Sequence, residues 1–417
     1  MYMNNASIWA ISLLTFITII VRPFKINEAI WALIGACALL IFGLVLPSEA
    51  LKGILSGTDV YLFLTGMMLL AETARKAKLF DWLAMVAIKA SRGSSRRLFL
   101  LVYLAAVLVT IFLSNDATAV VLTPAVAAAI RKANIKKPLP YVLICAFVAN
   151  AASFTLPISN PANLVIYQGH LPSLEKWISQ YWLSSLVAVT FTFFLLKFTQ
   201  KEDLEQQPFV ENIKPKLSKR AKISLAGIMA SSVVLLVCSA LEIQLGLPTF
   251  IIGIIISVAV NLYSPVKMVS VVKGISWSIL PLVACLFIIV EALAKTGLIE
   301  NISSFLQSEL STSETKAVWI SGLTSGYGAN LLNNLPSALI LADVAAFNHF
   351  PEIIRRAILI GTDLGPNLSV TGSLATILWL AVLRRERIKV SSLQFLKLGI
   401  IVMSVALIAA IGSLFIV

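Results

Sequence analysis

A short run of polar residues interrupts two long apolar segments in the first third of the chain. Its four polar members lie between the apolar runs 98–113 and 119–130: Ser114, Asn115, Asp116 and Thr118. In hydrocarbon, polar side chains and broken backbone are costly unless they face protein or a water-filled cavity. The run therefore predicts a site inside a membrane, and its hydroxyl, amide and carboxyl groups suit a small polar solute or a proton. The alternative, a polar loop outside the membrane, fits the apolar flanks poorly.

Three further segments break helical regularity between apolar residues: 153–163, 333–337 and 362–373. Pro157, Pro161 and Pro366 each remove a backbone donor and disfavour helix just before them. Broken helices leave free N–H and C=O groups that can bind a polar solute or a cation. The hydroxyl and amide residues predicted to line one substrate site are Ser114, Asn115, Thr118, Ser159, Asn160, Asn163, Asn333, Asn334, Ser337, Thr371 and Ser373. An alternative role for some of the asparagines is capping, or hydrogen bonding between helices.

Four acidic residues fall inside or beside apolar runs. Asp116 and Asp363 lie within the broken segments and have no basic residue nearby in sequence. We interpret them as proton carriers, because ionisable residues at membrane depth commonly form proton relays. Glu72 and Glu291 are each followed by a basic residue within four positions, and ion pairs at the membrane interface explain them at least as well as transport does.

The chain as a whole has the composition of a membrane protein. Its 417 residues are 59% hydrophobic and 13% charged, with a mean hydropathy of +0.92. Apolar runs long enough to cross a bilayer recur, which predicts an all-α polytopic membrane protein in contact with lipid. The formal charge of +13 is better explained by basic loops on one side of the membrane than by a nucleic-acid partner.

Sequence signatures of enzymes are missing. The four cysteines occur singly within apolar runs, which disfavours a thiolate metal site or a disulfide framework. The two histidines, His170 and His349, fall in predicted loops. The sequence contains no HExxH, GxSxG or Walker A pattern in a suitable context. We expect no enzymatic activity, no bound metal and no cofactor.

Two similar halves are joined by the only long hydrophilic stretch. The predicted division is 1–198, a cytoplasmic linker at 199–220, and 221–417. Glu291 lies 219 positions after Glu72, and Asn334 lies 219 positions after Asn115. A third match, at an offset of 212, aligns 149–166 with 361–378. Three matches in the same order favour an internal duplication.

Ten spans and two helical pairs complete the prediction. The spans are 7–21, 28–46, 57–76, 139–168, 177–197, 221–241, 248–263, 277–296, 352–384 and 391–416, with helical pairs at 97–131 and 315–347. Each half has five spans, a re-entrant helical hairpin and a broken transmembrane helix. Because five is odd, the halves enter the membrane from opposite faces, which gives an inverted repeat typical of secondary transporters.

The basic residues predict the orientation. About four-fifths of the 33 lysines and arginines fall in loops on one side if both termini lie outside, in agreement with the positive-inside rule. We therefore expect a multi-pass protein of the inner (plasma) membrane with both termini outside. Six tryptophans, including Trp177 and Trp379, lie towards predicted span ends and are expected to be interfacial anchors.

At the broken segments the sequence resembles a known family. Residues 114–124, SNDATAVVLTP, look like the first hairpin motif of the ArsB arsenite and antimonite efflux permeases in the ion transporter superfamily. Residues 158–163, 333–336 and 361–366 are similar to later motifs, and 372–379, GSLATILW, is the most telling match. The resemblance covers nearly the whole chain. Asn160-Pro161 departs from it, where a more apolar continuation is expected.

This resemblance implies efflux of arsenite or antimonite in exchange for protons by alternating access, with ten crossings and two re-entrant hairpins. It also implies that a separate cytoplasmic ATPase subunit can associate with the permease. A sodium-coupled carrier of small carboxylates, or a sodium/proton antiporter of the same superfamily, is the alternative. A channel is a further alternative, which broken helices in an inverted repeat disfavour.

Overall fold

The computed structural model describes residues 2–168, 171–205, 208, 215–263, 268–348 and 350–416. Every regular element in those ranges is helical, because helices satisfy their own backbone hydrogen bonds where no water is present. His170, His349 and part of the predicted linker lie outside the described residues.

The described part of the first half contains ten α-helices. They are α1 Tyr2–Val21, α2 Glu28–Ile41, α3 Pro47–Ser56, α4 Thr58–Lys76, α5 Leu79–Ser91, α6 Ser95–Phe112, α7 Thr123–Lys132, α8 Leu139–Ala151, α9 Pro161–Ile166 and α10 Leu174–Thr199. A π-helical segment, Ala117–Leu122, leads directly into α7. A short 3₁₀ turn, Pro157–Ser159, lies between α8 and α9.

The described part of the second half also contains ten α-helices. They are α11 Lys219–Ala240, α12 Gly246–Leu262, α13 Met268–Gly274, α14 Ile279–Ala294, α15 Leu298–Thr312, α16 Glu314–Leu332, α17 Asn334–Phe347, α18 Glu352–Leu364, α19 Leu374–Arg385 and α20 Ser392–Gly412. A 3₁₀ turn, Gly365–Asn367, continues α18 before the chain breaks.

The helix starts follow the offset found in the sequence. Ser94 and Ser313, which lie 219 positions apart, are the N-cap residues of α6 and α16, and each side-chain oxygen accepts a backbone N–H at 3.3 Å. Lys78 and Gly297, at the same spacing, have left-handed φ values of 61° and 80° and precede α5 and α15. The N-cap oxygens satisfy amides that the first helical turn leaves unpaired.

Helices of one half pack against helices of the other half, and the pairing is reciprocal. Helix α4 packs along α12, α14 packs along α2, and α10 packs along α20. Small residues allow the α4–α12 approach: a Cβ atom at Gly66 would lie 2.3 Å from the carbonyl oxygen of Thr249, and one at Gly253 would lie 2.7 Å from that of Gly66. The halves therefore share one interior.

Among the described residues, five helices are long and apolar enough to cross a membrane by themselves. They are Ser95–Phe112, Leu174–Thr199, Lys219–Ala240, Met268–Ala294 and Ser392–Phe415. The pair α3–α4, bent by 47°, brings the total to six if it counts as one span. Most other predicted spans are shorter apolar helices, and the spans predicted at 139–168 and 352–384 are each two helices around a break.

Two helices and two tryptophans differ from the prediction. Helices α5 and α15 occupy stretches predicted as loops. Helix α5 has only 13 residues and contains Asp81 and Lys89, so it does not match the pattern of a membrane span. On α15 only one face is buried, formed by Ile299, Ser303 and Leu306. Trp177 and Trp379 are fully buried rather than interfacial. Their indole N–H groups donate to the backbone carbonyls of Phe154 (3.2 Å) and Val142 (2.9 Å).

Gly66→Val tests the close approach of α4 and α12. Because a side chain at this position would collide with backbone atoms, we expect overpacking to cost about 1–3 kcal/mol of stability. The measurement is the thermal unfolding midpoint in detergent. Gly412→Ala is the matched control, since a Cβ atom there would have its nearest neighbour at 3.8 Å. Equal midpoints for the two variants would contradict this packing.

Candidate functional site

The two hairpin turns and the two helix breaks meet in the interior of the fold. A cavity of about 50 Å³ lies between them. Its polar lining comes from both halves of the chain: Asn115, Asp116, Asn160, Asn333 and Asn334. Leu374 and Ala375, in the first turn of α19, also line it. A helix N-terminus presents unpaired N–H groups, so this cavity offers amide and backbone donors beside one carboxylate.

A larger cavity of about 330 Å³ adjoins the small one. The two share Leu64, Asp116, Pro161 and Ile279. The larger cavity is also lined by charged residues near helix ends: Glu72, Arg75, Arg385 and Glu386. These basic residues belong to the predicted inner side, so the cavity leads from that side to Asp116.

Backbone geometry at the first turn orients Ser114 and Asn115. The Ser114 hydroxyl oxygen accepts the Ala117 N–H at 3.1 Å, and the Asn115 amide oxygen accepts the Asp116 N–H at 2.8 Å. The π-helical segment that follows precedes Pro124, which has no N–H to donate to a helical carbonyl. A π-bulge of this kind is frequent at functional sites.

Asp116 and Thr118 differ in access to the cavities. The Asp116 side chain is partly exposed and lines both cavities. Thr118 is completely buried, and its hydroxyl is 2.7 Å from that of Thr110 on α6. Thr118 therefore holds the hairpin together rather than facing either cavity.

Asparagine side chains hold the first broken segment. The Asn163 amide nitrogen is within 3.0 Å of the Ser153 carbonyl and 3.3 Å of the Leu156 carbonyl, and it donates to oxygens that the break leaves free. The Asn160 amide oxygen caps α9 by accepting the Ala162 N–H at 3.1 Å. The Ser159 hydroxyl donates to the Ile111 carbonyl at 3.0 Å and so ties the break to α6.

Asp363 joins the two broken segments. It is completely buried, and one carboxylate oxygen accepts the Ser153 hydroxyl at 2.6 Å. The other oxygen accepts the amide N–H of Asn160 at 2.7 Å. Asp363 does not line the small cavity but bonds to Asn160, which does, whereas Asp116 lines the cavity directly.

Hydrogen bonds connect the turn of the second hairpin to the second helix break. Asn333 forms the turn with a φ of 78°, and its side-chain amide donates to the Thr371 carbonyl at 3.3 Å. The Asn334 N–H donates to the Gly372 carbonyl at 2.9 Å. Ser373 caps α19 by accepting the Thr376 N–H at 3.1 Å. The Thr371 hydroxyl lies 3.0 Å from that of Ser369.

Ser337 is separated from the other predicted site residues. It lines a different cavity, between α15, α16 and α17. The sequence did not single out several residues around the site, among them Ser153, Asn330 and the pair Asn150 and Asn367. The Asn150 amide donates to the Asn367 side-chain oxygen at 2.9 Å, and the Asn367 amide donates to the Phe147 carbonyl at 2.9 Å. An asparagine within the apolar run 139–151 was the available signal.

Glu72 forms the expected ion pair and also lines the larger cavity. Its carboxylate accepts Arg75 Nε and Nη2 at 2.6 and 2.5 Å, and Lys76 Nζ lies 3.8 Å away. Within the described ranges, no group of three or more histidine, cysteine or acidic residues could hold a metal ion.

Comparison with known proteins identifies the class and then the family. The family described as citrate transporter, CitMHS, has a model that matches residues 13–361. The chain belongs to this family, and it is therefore a multi-pass membrane transporter rather than an enzyme.

Relatives of similar length carry a more specific description. The chain is 25% identical over 420 residues to the arsenical pump membrane protein of Escherichia coli K12, covering 97% of both chains. It is 25% identical over 431 residues to a putative arsenical pump membrane protein of Bacillus subtilis, covering 96% of this chain and 97% of that one. These matches confirm the resemblance seen in the motifs.

A solved structure supports the fold. The YdaH transporter of Alcanivorax borkumensis superimposes with a TM-score of 0.56 at 13% sequence identity, covering 88% of this chain and 86% of the other. At this identity the likeness concerns the fold alone.

Asp363→Leu tests the junction between the broken segments. It would leave the Asn160 amide buried without its acceptor, which costs about 1–3 kcal/mol, whereas the Ser153 hydroxyl could donate to the Asn150 carbonyl 2.8 Å away. We expect a lower thermal unfolding midpoint in detergent. Asp363→Asn keeps an acceptor oxygen at the same position and should lose less. Similar midpoints for the leucine variant and the unmodified protein would contradict this role.

Proposed function

We propose that this transporter exports arsenite, and also antimonite, from the cytoplasm in exchange for protons, by alternating access. The observation that carries the proposal is the small cavity that brings Asp116 together with amides from both halves. The printed names of the relatives, arsenical pump membrane proteins, supply the substrate class.

The chemistry of the small cavity suits an uncharged hydroxylated solute. Arsenous acid is neutral near physiological pH and carries three hydroxyl groups, which can donate to and accept from amide side chains. The described residues that line the small cavity include no cysteine, lysine or arginine. Thiolates would bind trivalent arsenic too tightly for rapid release, and a fixed cation would favour an anion instead. The substrate-binding residues we assign first are Asn115, Asn160, Asn333 and Asn334.

The two aspartates take different parts in proton coupling. Asp116 lines both cavities, so it can exchange protons with the solution that fills the larger one. Asp363 is enclosed and holds the Asn160 amide at 2.7 Å. Its protonation would turn one of its two acceptor oxygens into a donor, which would weaken the bond to Asn160 or to Ser153 and thereby change how Asn160 is presented to the substrate. Asp116 is the primary proton carrier and Asp363 the coupled second one.

Alternating access is supported by an asymmetry between the two sides of the site. The larger cavity opens beside Arg75 and Arg385. On the opposite side, the Gln168 amide donates to the Asp343 carboxylate at 3.0 Å, next to the end of α17. An ion pair between Lys295 and Glu49 connects the end of α14 to α3 on that side. We assign this conformation to an inward-open state.

An inverted repeat of two five-span halves explains the exchanged helix contacts. A two-fold axis in the membrane plane would convert the α4–α12 pair into the α14–α2 pair. It would exchange α10 with α20 and so leave that pair unchanged. With both termini outside, the larger cavity faces the cytoplasm of a cell whose inner (plasma) membrane holds the protein. The basic inner surface is also where the separate ATPase subunit implied by the motif resemblance would associate.

A sodium-coupled carrier of small carboxylates is the second candidate. The description of the matching family, citrate transporter, favours it. Everted vesicles separate the two functions: arsenite accumulation driven by an imposed proton gradient supports export by antiport. Carboxylate uptake that requires sodium and ignores the proton gradient supports the second candidate.

Asp116→Asn should abolish the coupling to protons. In everted vesicles with an acidic interior, we expect arsenite accumulation to fall to the level of vesicles without the protein, because asparagine cannot carry a proton. Exchange of arsenite for labelled arsenite without a gradient should persist. Glu300→Gln, an exposed acid on α15, is the control and should transport normally. If Asp116→Asn and Asp363→Asn both left gradient-driven accumulation unchanged, the coupling assignment would be wrong.

Joining Gln168→Cys to Asp343→Cys should stop transport reversibly. The parent protein for this test has its four native cysteines replaced. A short bifunctional thiol reagent that bridges the new pair would hold the side opposite the larger cavity closed, so transport should stop and recover when a cleavable bridge is reduced. Each single cysteine variant, treated alike, is the control. Full transport by the bridged protein would exclude opening at this contact.

A further inference from the structure

Helices α15, α16 and α17 enclose a second large cavity, of about 320 Å³. It is separate from the cavities that contain Asp116. Its wall is mostly apolar and includes Ile302, Leu306, Leu332, Ile340 and Val344. Pockets of this size with a few polar groups are typical of small-molecule sites.

Comparison of the two halves shows why this space is open. Gly328 lines the cavity, and a Cβ atom added there would meet nothing within 4 Å. The residue 219 positions earlier is Val109, which is 8% exposed and packs in the core. Ala329 likewise stands where the first half has Thr110. Gly328 therefore leaves space on the helix face that borders the cavity, where the first half has the larger Val109.

One hydroxyl in the cavity wall has no partner among the described residues. Ser337 is 4% exposed, lines the cavity, and its oxygen makes no hydrogen bond there. In the first half, the equivalent Thr118 hydroxyl lies 2.7 Å from that of Thr110. Because Ala329 replaces that partner, the Ser337 hydroxyl is left unsatisfied in an apolar wall, which is costly.

The entrance of the cavity is apolar and exposed. Phe305 lines the cavity and is 53% exposed. In a membrane-spanning protein, exposed apolar side chains of this kind face lipid. A ligand would therefore enter from the bilayer rather than from water.

We propose that this cavity binds a membrane-dissolved amphiphile with an apolar chain and one hydroxyl or carbonyl group. The chain would fill the space beside Gly328, and the polar group would pair with the Ser337 hydroxyl. The ligand would then lie against α17, the helix that begins at Asn334. This site is independent of the arsenite site and of the proposed function.

The test uses a medium-chain alcohol that carries a photoreactive diazirine, added to the purified full-length protein in phospholipid vesicles. After illumination, labelled peptides are identified by mass spectrometry. We expect saturable labelling within 302–344 that excess unlabelled octanol prevents. Labelling that never saturates, or that lies elsewhere, would overturn the proposal.

Two variants examine the two parts of the site separately. Gly328→Val places the first-half residue in the open space and should abolish the saturable labelling. Ser337→Ala removes the hydrogen bond and should raise the half-saturating concentration about fivefold. Val405→Ile, on the exposed face of α20, is the control and should label as the unmodified protein does.

A photoreactive phospholipid supplies the decisive comparison. If its acyl chain labelled 302–344 as strongly as the alcohol does, with no effect of Ser337→Ala, the cavity would be a crevice filled by bulk lipid. That result would overturn the proposal. Weak labelling by the phospholipid, together with the Ser337 effect on the alcohol, would support it.

Discussion

The structure depends on one constraint, which is that a helix broken inside a membrane must still satisfy its free backbone groups. Side-chain amides meet this need at both breaks. Asn163 binds carbonyls of residues 153 and 156, and Asn330 donates to the Gly365 carbonyl at 2.9 Å. Asn333 does the same for Thr371. Without these amides the carbonyl groups freed at the breaks would need water or another donor.

The same constraint limits what the site can offer a substrate. Asn163, Ser159 and Thr118 are occupied by internal hydrogen bonds, whereas the polar lining of the small cavity consists of Asn115, Asp116, Asn160, Asn333 and Asn334. The Asp116 carboxylate satisfies no backbone group at either break, and it lines both cavities. The separation between residues that stabilise the breaks and residues that face the cavity is therefore a result of backbone geometry.

The sequence predicted the breaks well because proline, glycine and asparagine act locally. Pro157, Pro161 and Pro366 mark interruptions that depend on the covalent backbone alone. It predicted less about the direction in which side chains point. Ser337 faces another cavity and Trp379 is buried. Both outcomes depend on how helices rotate about their axes when they pack. Helix α5 was missed for another reason, since it is short and Asp81 and Lys89 interrupt its apolar sequence. The Asn150–Asn367 pair joins residues 217 positions apart, a contact that no local pattern contains.

The bond between Asp363 and its two donors has a consequence for the history of the chain. At the offset of 212, the counterpart of Asp363 is Ala151, and the counterparts of Ser153 and Asn160 are Gly365 and Gly372. The acceptor is thus present only in the second copy and the donors only in the first. Two identical copies of either half could not rebuild this junction. An assembly that forms this junction therefore needs one half of each kind, so the two halves are no longer interchangeable.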